Sequence, residues 1–66
     1  MFVVVKVDRE TNNIKDLWII SEELEPSKYE YKKAEEFAEY FNRIDGEHLY
    51  EIRFINKIPD LDNKSE

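Results

Sequence analysis

Imidazole exchanges protons near neutral pH, so His48, the one histidine of the chain, is the first candidate for acid–base chemistry. It stands in a segment that also holds Glu47 and Glu51. Nucleophilic catalysis needs a hydroxyl or thiol that is activated by such a base. No cysteine exists and no serine partner is implied, so the sequence favours a solvated or packed histidine over a catalytic one.

Carboxylates are abundant and several form pairs in the sequence: Glu22 with Glu23, Glu35 with Glu36, and Asp60 with Asp62. Catalytic carboxylates work in a cleft that separates their pKa values, and the small fold predicted below offers little room for one. The run 60–63 alternates oxygen ligands but lacks the glycine and the terminal glutamate of a calcium loop. We therefore expect a non-enzymatic protein with no catalytic residue, no metal and no cofactor.

The chain is long enough for a single domain, 66 residues. Apolar alternation and turn residues predict strands over about 2–8 and 14–21, and a third over about 48–57. Between them Ser27 and Glu30 have the spacing of a capping box, which predicts a helix to about residue 45. Gly46 follows as a left-handed helix stop. We expect an α+β domain over 1–58 and a disordered acidic tail over 59–66.

The first two strands are expected to form a hairpin whose turn is Asn12-Asn13, since asparagine tolerates left-handed backbone. This register places Val7 opposite Trp18 and Val5 opposite Ile20. It also pairs opposite charges, Arg9 with Asp16 and Glu10 with Lys15. A longer loop, which would shift the pairing, stays open.

The first strand is valine-rich and apolar on both faces, which predicts a central position and the antiparallel order 2-1-3. One sheet face then packs on the helix. The helix stripe comprises Ala34, Phe37, Ala38, Phe41 and Ile44, and the sheet contributes Val3, Val5, Val7, Trp18, Ile20, Tyr50, Ile52 and Phe54.

The other sheet face would then carry a candidate interaction surface: Phe2, Val4, Leu17, Ile19, Leu49 and Ile55. Six large apolar groups exceed what a small monomer usually exposes as one patch. Two interpretations stay open. Long charged side chains lie over the patch and shield it, or the patch contacts a second copy or another protein.

Net charge is −6, which argues against direct binding to nucleic acid. A candidate acidic surface comprises Glu22, Glu23, Glu25, Glu35, Glu36 and Glu39. It serves solubility, attracts a basic partner, or imitates a phosphate backbone as a DNA mimic. Lysines at 28, 32 and 33 interrupt the acidic run and weaken the mimic hypothesis.

No apolar run is long enough to span a membrane, and the first residues resemble a strand rather than a signal peptide. These features predict a cytoplasmic protein.

The whole chain resembles the small β-β-α-β orphan proteins of bacteriophages and prophages. The segments that carry the resemblance are Leu17-Trp18-Ile19-Ile20, Ala34-Glu35-Glu36-Phe37-Ala38-Glu39-Tyr40 and Leu49-Tyr50-Glu51-Ile52-Arg53. The resemblance implies a protein that binds and modulates a host protein, and it transfers no site residue. The leading hypothesis is therefore a small protein-binding module. The alternatives are a homodimeric accessory protein and an acidic DNA mimic.

Overall fold

The computed structural model describes residues 1–23 and 25–59. Strands β1 (Phe2–Asp8) and β2 (Ile14–Ser21) precede helix α1 (Lys28–Ile44), and strand β3 (His48–Phe54) follows it. The sheet has the order β2-β1-β3 with both pairings antiparallel. The predicted α+β fold and strand order are confirmed. The expected disordered tail, apart from Pro59, lies outside the described residues.

Helix α1 begins with the predicted capping box. The Glu30 amide donates to Ser27 Oγ at 3.1 Å, and the Ser27 amide donates to Glu30 Oε1 at 2.8 Å. At the other end Asp45 leaves the helix in extended backbone, with φ −121°. Gly46 does not have a positive φ, so the predicted left-handed stop is wrong. The Asp45 carboxylate instead holds the turn by accepting from the Glu47 amide at 3.1 Å.

The hairpin turn is longer than the predicted Asn12-Asn13 turn. The Asp8 carboxylate accepts from the amides of Glu10 and Thr11, at 2.8 and 3.1 Å, and these bonds lower the pKa of Asp8. Asn12 then turns the chain with φ 66°. Because the Asp8 amide donates to the Asn13 carbonyl at 2.9 Å, residues 9–12 all belong to the loop.

The longer loop moves the strand register. Val4 lies opposite Trp18 and Lys6 opposite Asp16, whereas the expected partner of Trp18 was Val7. The predicted pairs Val5–Ile20, Arg9–Asp16 and Glu10–Lys15 are likewise wrong. A slip by an odd number of residues turns every side chain of a strand to the opposite sheet face.

The two faces of β1 are therefore exchanged relative to the prediction. Phe2 and Val4, which were expected on the surface opposite the helix, are buried beneath it with Ala34, Ala38 and Tyr50. Val3, Val5 and Val7 form a separate cluster on the other face. The faces of Trp18, Ile20 and Ile52 are as predicted, since all three pack against the helix-side core.

The helix stripe is confirmed in its centre and wrong at its end. Phe37 and Phe41 lie against Trp18, with ring centroids 5.2 and 6.4 Å from its own. Ile44, the last helical residue, is 57% exposed because it lies where the chain leaves the sheet contact. Within the described residues, the helix is too short and too polar to cross a lipid bilayer.

Candidate functional site

The sheet face opposite α1 carries an apolar cluster that includes no helix residue. Val3, Val5 and Val7 form its centre. The partly buried residues packed around them are Met1, Ile14, Leu17, Leu49 and Ile55. Ile19, which lies opposite Val3 in the sheet, extends this surface along β2. These nine residues are called the open sheet face below.

Exposure differs between the centre and the border of the open sheet face. Val3, Val5 and Val7 are fully buried, because their neighbours on β2 and β3 close over them. Leu17, Leu49 and Ile55 are partly exposed, and Ile19 is 43% exposed. The surface offered to a partner therefore consists of the border side chains, with the valines as a rigid base beneath them.

An ion pair between Glu51 and Arg53 borders this face. The Arg53 Nε donates to Glu51 Oε2 at 2.8 Å, and Nη2 of the same guanidinium reaches the same oxygen. Glu51 and Arg53 alternate with Tyr50 and Ile52 along β3, so they share the face of Leu49. The two charges satisfy each other within one strand and leave the apolar border accessible.

The six residues of the candidate acidic surface are all exposed: Glu22, Glu23, Glu25, Glu35, Glu36 and Glu39. The first three lie in the connection before α1 and the others on the helix. A shallow depression of about 350 Å³ on α1 is lined by Tyr29, Lys32, Lys33 and Glu36. Its mixed charges interrupt the acidic run, as the sequence indicated.

Sequence reasoning missed a polar cluster around Asp45, at the junction of α1 and β3. Tyr50 Oη donates to Asp45 Oδ2 at 2.9 Å, and His48 Nδ1 lies 3.1 Å from the same oxygen. The Tyr50 hydrogen bond is the main cause that lowers the pKa of Asp45. Burial, followed by the Asp45 contact, raises the pKa of Tyr50 to about 12. Strand alternation places His48 and Tyr50 on one face, but it gives no signal for their contact with Asp45.

The neighbouring groove has a volume of about 400 Å³ and is lined by Asp8, Arg9, Glu10, Gly46, Glu47 and His48. Asp45 fixes the His48 ring through Nδ1, an arrangement that is able to orient an imidazole for proton transfer. The groove lining contains no hydroxyl or thiol to be activated. The Asp45 cluster is better explained as a structural contact that joins the end of α1 to the start of β3.

The described part of the chain contains no group of three or more histidine, cysteine, aspartate or glutamate residues arranged to hold a metal ion. The sequence expectation that no cofactor is needed stays a prediction.

Comparisons of the chain with protein-family models, curated proteins and solved structures returned no match. The resemblance to phage orphan proteins therefore stays a prediction. A fold of this kind does not specify a function, so function has to be argued from the surfaces themselves.

Proposed function

We propose that the chain is a small, non-enzymatic protein-binding module that contacts its partner through the open sheet face. The observation that supports this proposal is the apolar cluster of Val3, Val5 and Val7, with its border, on a face that lacks helix residues. Domains are usually built from packed layers that cover both apolar faces of a sheet. A partner protein supplies the missing layer in this proposal.

The apolar border supplies only part of the free energy that a complex needs. Burial of apolar surface contributes about 25 cal/mol per Å². The partly exposed border side chains, together with Ile19, then supply several kcal/mol before the costs of association, on the order of 4–15 kcal/mol, are subtracted. Such a surface fits a partner that brings its own apolar side chains.

The same face also favours the alternative of a homodimer, in which a second copy supplies the missing layer. The acidic DNA mimic is less favoured because Lys32 and Lys33 lie beside Glu36. When the resemblance to phage proteins is added, the leading proposal becomes a cytoplasmic protein that binds and modulates a host protein.

The test compares the wild type with Ile19→Lys, which puts a charge on the open sheet face at a side chain that is 43% exposed. Ile44→Lys is the matched control, because Ile44 is 57% exposed at the end of α1. Each protein is used to capture partners from a bacterial lysate, with quantification by mass spectrometry. Sedimentation velocity over a range of concentrations gives the oligomeric state.

The proposal expects a protein that is retained by the wild type and by Ile44→Lys and is lost with Ile19→Lys. Identical capture by all three proteins, or capture by none, contradicts it. A wild-type dimer that Ile19→Lys converts to a folded monomer selects the homodimer instead.

A further inference from the structure

Strand β3 lies at one edge of the sheet, and its outward backbone groups are only partly occupied. The Ile55 amide donates to the Met1 carbonyl at 2.9 Å, and the Met1 amino group donates back to the Ile55 carbonyl at 2.6 Å. In an antiparallel pair, alternate residues direct both backbone groups to the same side. Odd-numbered residues of β3 therefore face β1, and even-numbered residues face outward.

The first part of this outward edge is closed by a side chain. Asn42 bonds both backbone groups of Tyr50. Within the described residues, no side-chain bond reaches the backbone of Ile52 or Phe54, and no strand lies beyond β3. The open part of the edge is thus the segment 52–54.

Exposure increases along β3 in the same direction. Tyr50 is 5% exposed, Ile52 is partly buried and Phe54 is 59% exposed. The helix contacts β3 at Asn42, but its first turns pack toward β1, where Tyr31 stacks on Phe2 with centroids 5.5 Å apart. Phe54 itself packs on Phe2, with ring centroids 5.0 Å apart, and still exposes more than half of its surface.

The helix places a carboxylate on the side of the open edge. Tyr31, Glu35 and Asn42 recur at spacings that place them in one row along a helix. Because Tyr31 and Asn42 both contact the sheet, Glu35 lies between them on the side of the open edge. Glu35 is exposed, and the nearest basic residues along the helix are Lys28, two turns before it, and Lys32, one turn before it.

We propose that the 52–54 edge of β3 binds an extended segment of another protein as a fourth strand. The segment pairs with the outward backbone groups of Ile52 and Phe54. It has alternating apolar side chains, which pack on Phe54 and Tyr31, and a lysine or arginine that faces Glu35. This site is separate from the open sheet face and goes beyond the function proposed above.

Charge argues for a basic segment rather than a second copy. If two copies paired with Ile52 opposite Phe54, Arg53 would lie opposite Arg53 of the other copy. Both copies would also bring Glu35 to the same junction, and each chain carries a net charge of −6. Like charges in direct opposition destabilise a strand pair.

The experiment uses ¹⁵N NMR and amide exchange on the full chain with short synthetic peptides. The probe alternates lysine with valine and phenylalanine and is blocked at both ends. One control peptide has glutamate in place of lysine, and another has methylated backbone amides that cannot donate. Protein variants are Glu35→Lys, with Glu36→Lys as the control elsewhere on α1 and Ile19→Lys as the control on the open sheet face.

The proposal expects the lysine peptide to slow amide exchange at Ile52 and Phe54, and expects neither control peptide to do so. Glu35→Lys should weaken binding about fivefold at low salt, whereas Glu36→Lys and Ile19→Lys should leave it unchanged. Equal binding of the glutamate peptide overturns the proposal, as does protection confined to other residues. Slow exchange at Ile52 and Phe54 before peptide is added overturns it too, because the edge would already be occupied. Loss of binding with Ile19→Lys alone assigns the peptide to the open sheet face.

Discussion

Asn42 of the helix holds both backbone groups of Tyr50 in the edge strand. Its Nδ2 donates to the Tyr50 carbonyl and its Oδ1 accepts from the Tyr50 amide, each at 2.8 Å. The amide side chain thus takes the place of a neighbouring strand at this point. Since unpaired edges invite association with other chains, this contact limits the open edge to the segment beyond Tyr50.

Asn42→Ala should lower the free energy of unfolding by about 2 kcal/mol, since two hydrogen bonds of about 1 kcal/mol each are lost. Amide exchange at Tyr50 should accelerate in the same variant. Denaturant titration and NMR exchange measure the two effects. Asn42→Asp is the control, because aspartate still accepts from the Tyr50 amide but cannot donate to its carbonyl. An unchanged exchange rate at Tyr50 in Asn42→Ala would contradict the contact.

Tyr50 should make the protein less stable at alkaline pH. Its pKa is raised from 10.0 to about 12 in the folded chain, so the folded state resists ionisation. The resulting stabilisation is complete below pH 10 and is lost as the pH rises through about 12. The free energy of unfolding of the wild type should therefore fall more steeply over this range than that of Tyr50→Phe. Parallel curves for the two proteins would count against the burial of Tyr50 and its contact with Asp45.

Asp45 should make the protein less stable at acid pH. Its folded pKa lies below the ordinary value of 3.8, chiefly because of the hydrogen bond from Tyr50. Its stabilisation is present above pH 3.8 and is lost as the pH falls through the lower, folded value. Asp45→Asn should flatten the acid limb of a plot of unfolding free energy against pH. Asp8→Asn should flatten it independently, since the loop amides of Thr11 and Glu10 lower the pKa of Asp8. An unaltered acid limb in both variants would refute these assignments.

The central strand should be sensitive to truncation on both faces. Val4 and Val5 are both fully buried, one in each apolar cluster. Val4→Ala and Val5→Ala should each cost about 2 kcal/mol from lost transfer energy and residual cavity. Only Val4→Ala should change the near-ultraviolet circular dichroism of Trp18, because Val4 lies opposite Trp18 on the helix face. A larger change in Val5→Ala would contradict the observed register.

The sequence was sufficient to predict the helix and the strands, and insufficient to predict the register between β1 and β2. The capping box at Ser27 and the apolar periodicities predicted the helix start and the strand order. The predicted register was wrong because β1 is apolar on both faces, so its sequence pattern does not indicate which face lies against the helix. The hairpin turn depends on the Asp8 carboxylate, which accepts hydrogen bonds from two loop amides and so stabilises a longer loop. The opposite-charge pairs expected for Arg9 and Glu10 supported the predicted register, but neither pairing is present between the strands, because both residues lie in the loop.

The candidate site was predicted only in part, because the hairpin register decides which residues of β1 lie on it. Leu17, Leu49 and Ile55 do lie on the face opposite the helix, because Trp18, Ile20 and Ile52 were correctly assigned to the helix face. Phe2 and Val4 were assigned to that face through the wrong register. The Asp45 cluster was missed because it joins a helix end to a strand across a turn, and single-element periodicity does not detect such a contact.

The most direct test of the open sheet face is site-specific photocrosslinking. A benzoylphenylalanine is placed at Ile19, on the open sheet face, or at Tyr40, on the helix; these side chains have similar exposure, 43% and 53%. After irradiation in a bacterial lysate, we expect a discrete adduct from the Ile19 position and none from the Tyr40 position. An adduct from the Tyr40 position alone, or no adduct from either, would contradict it.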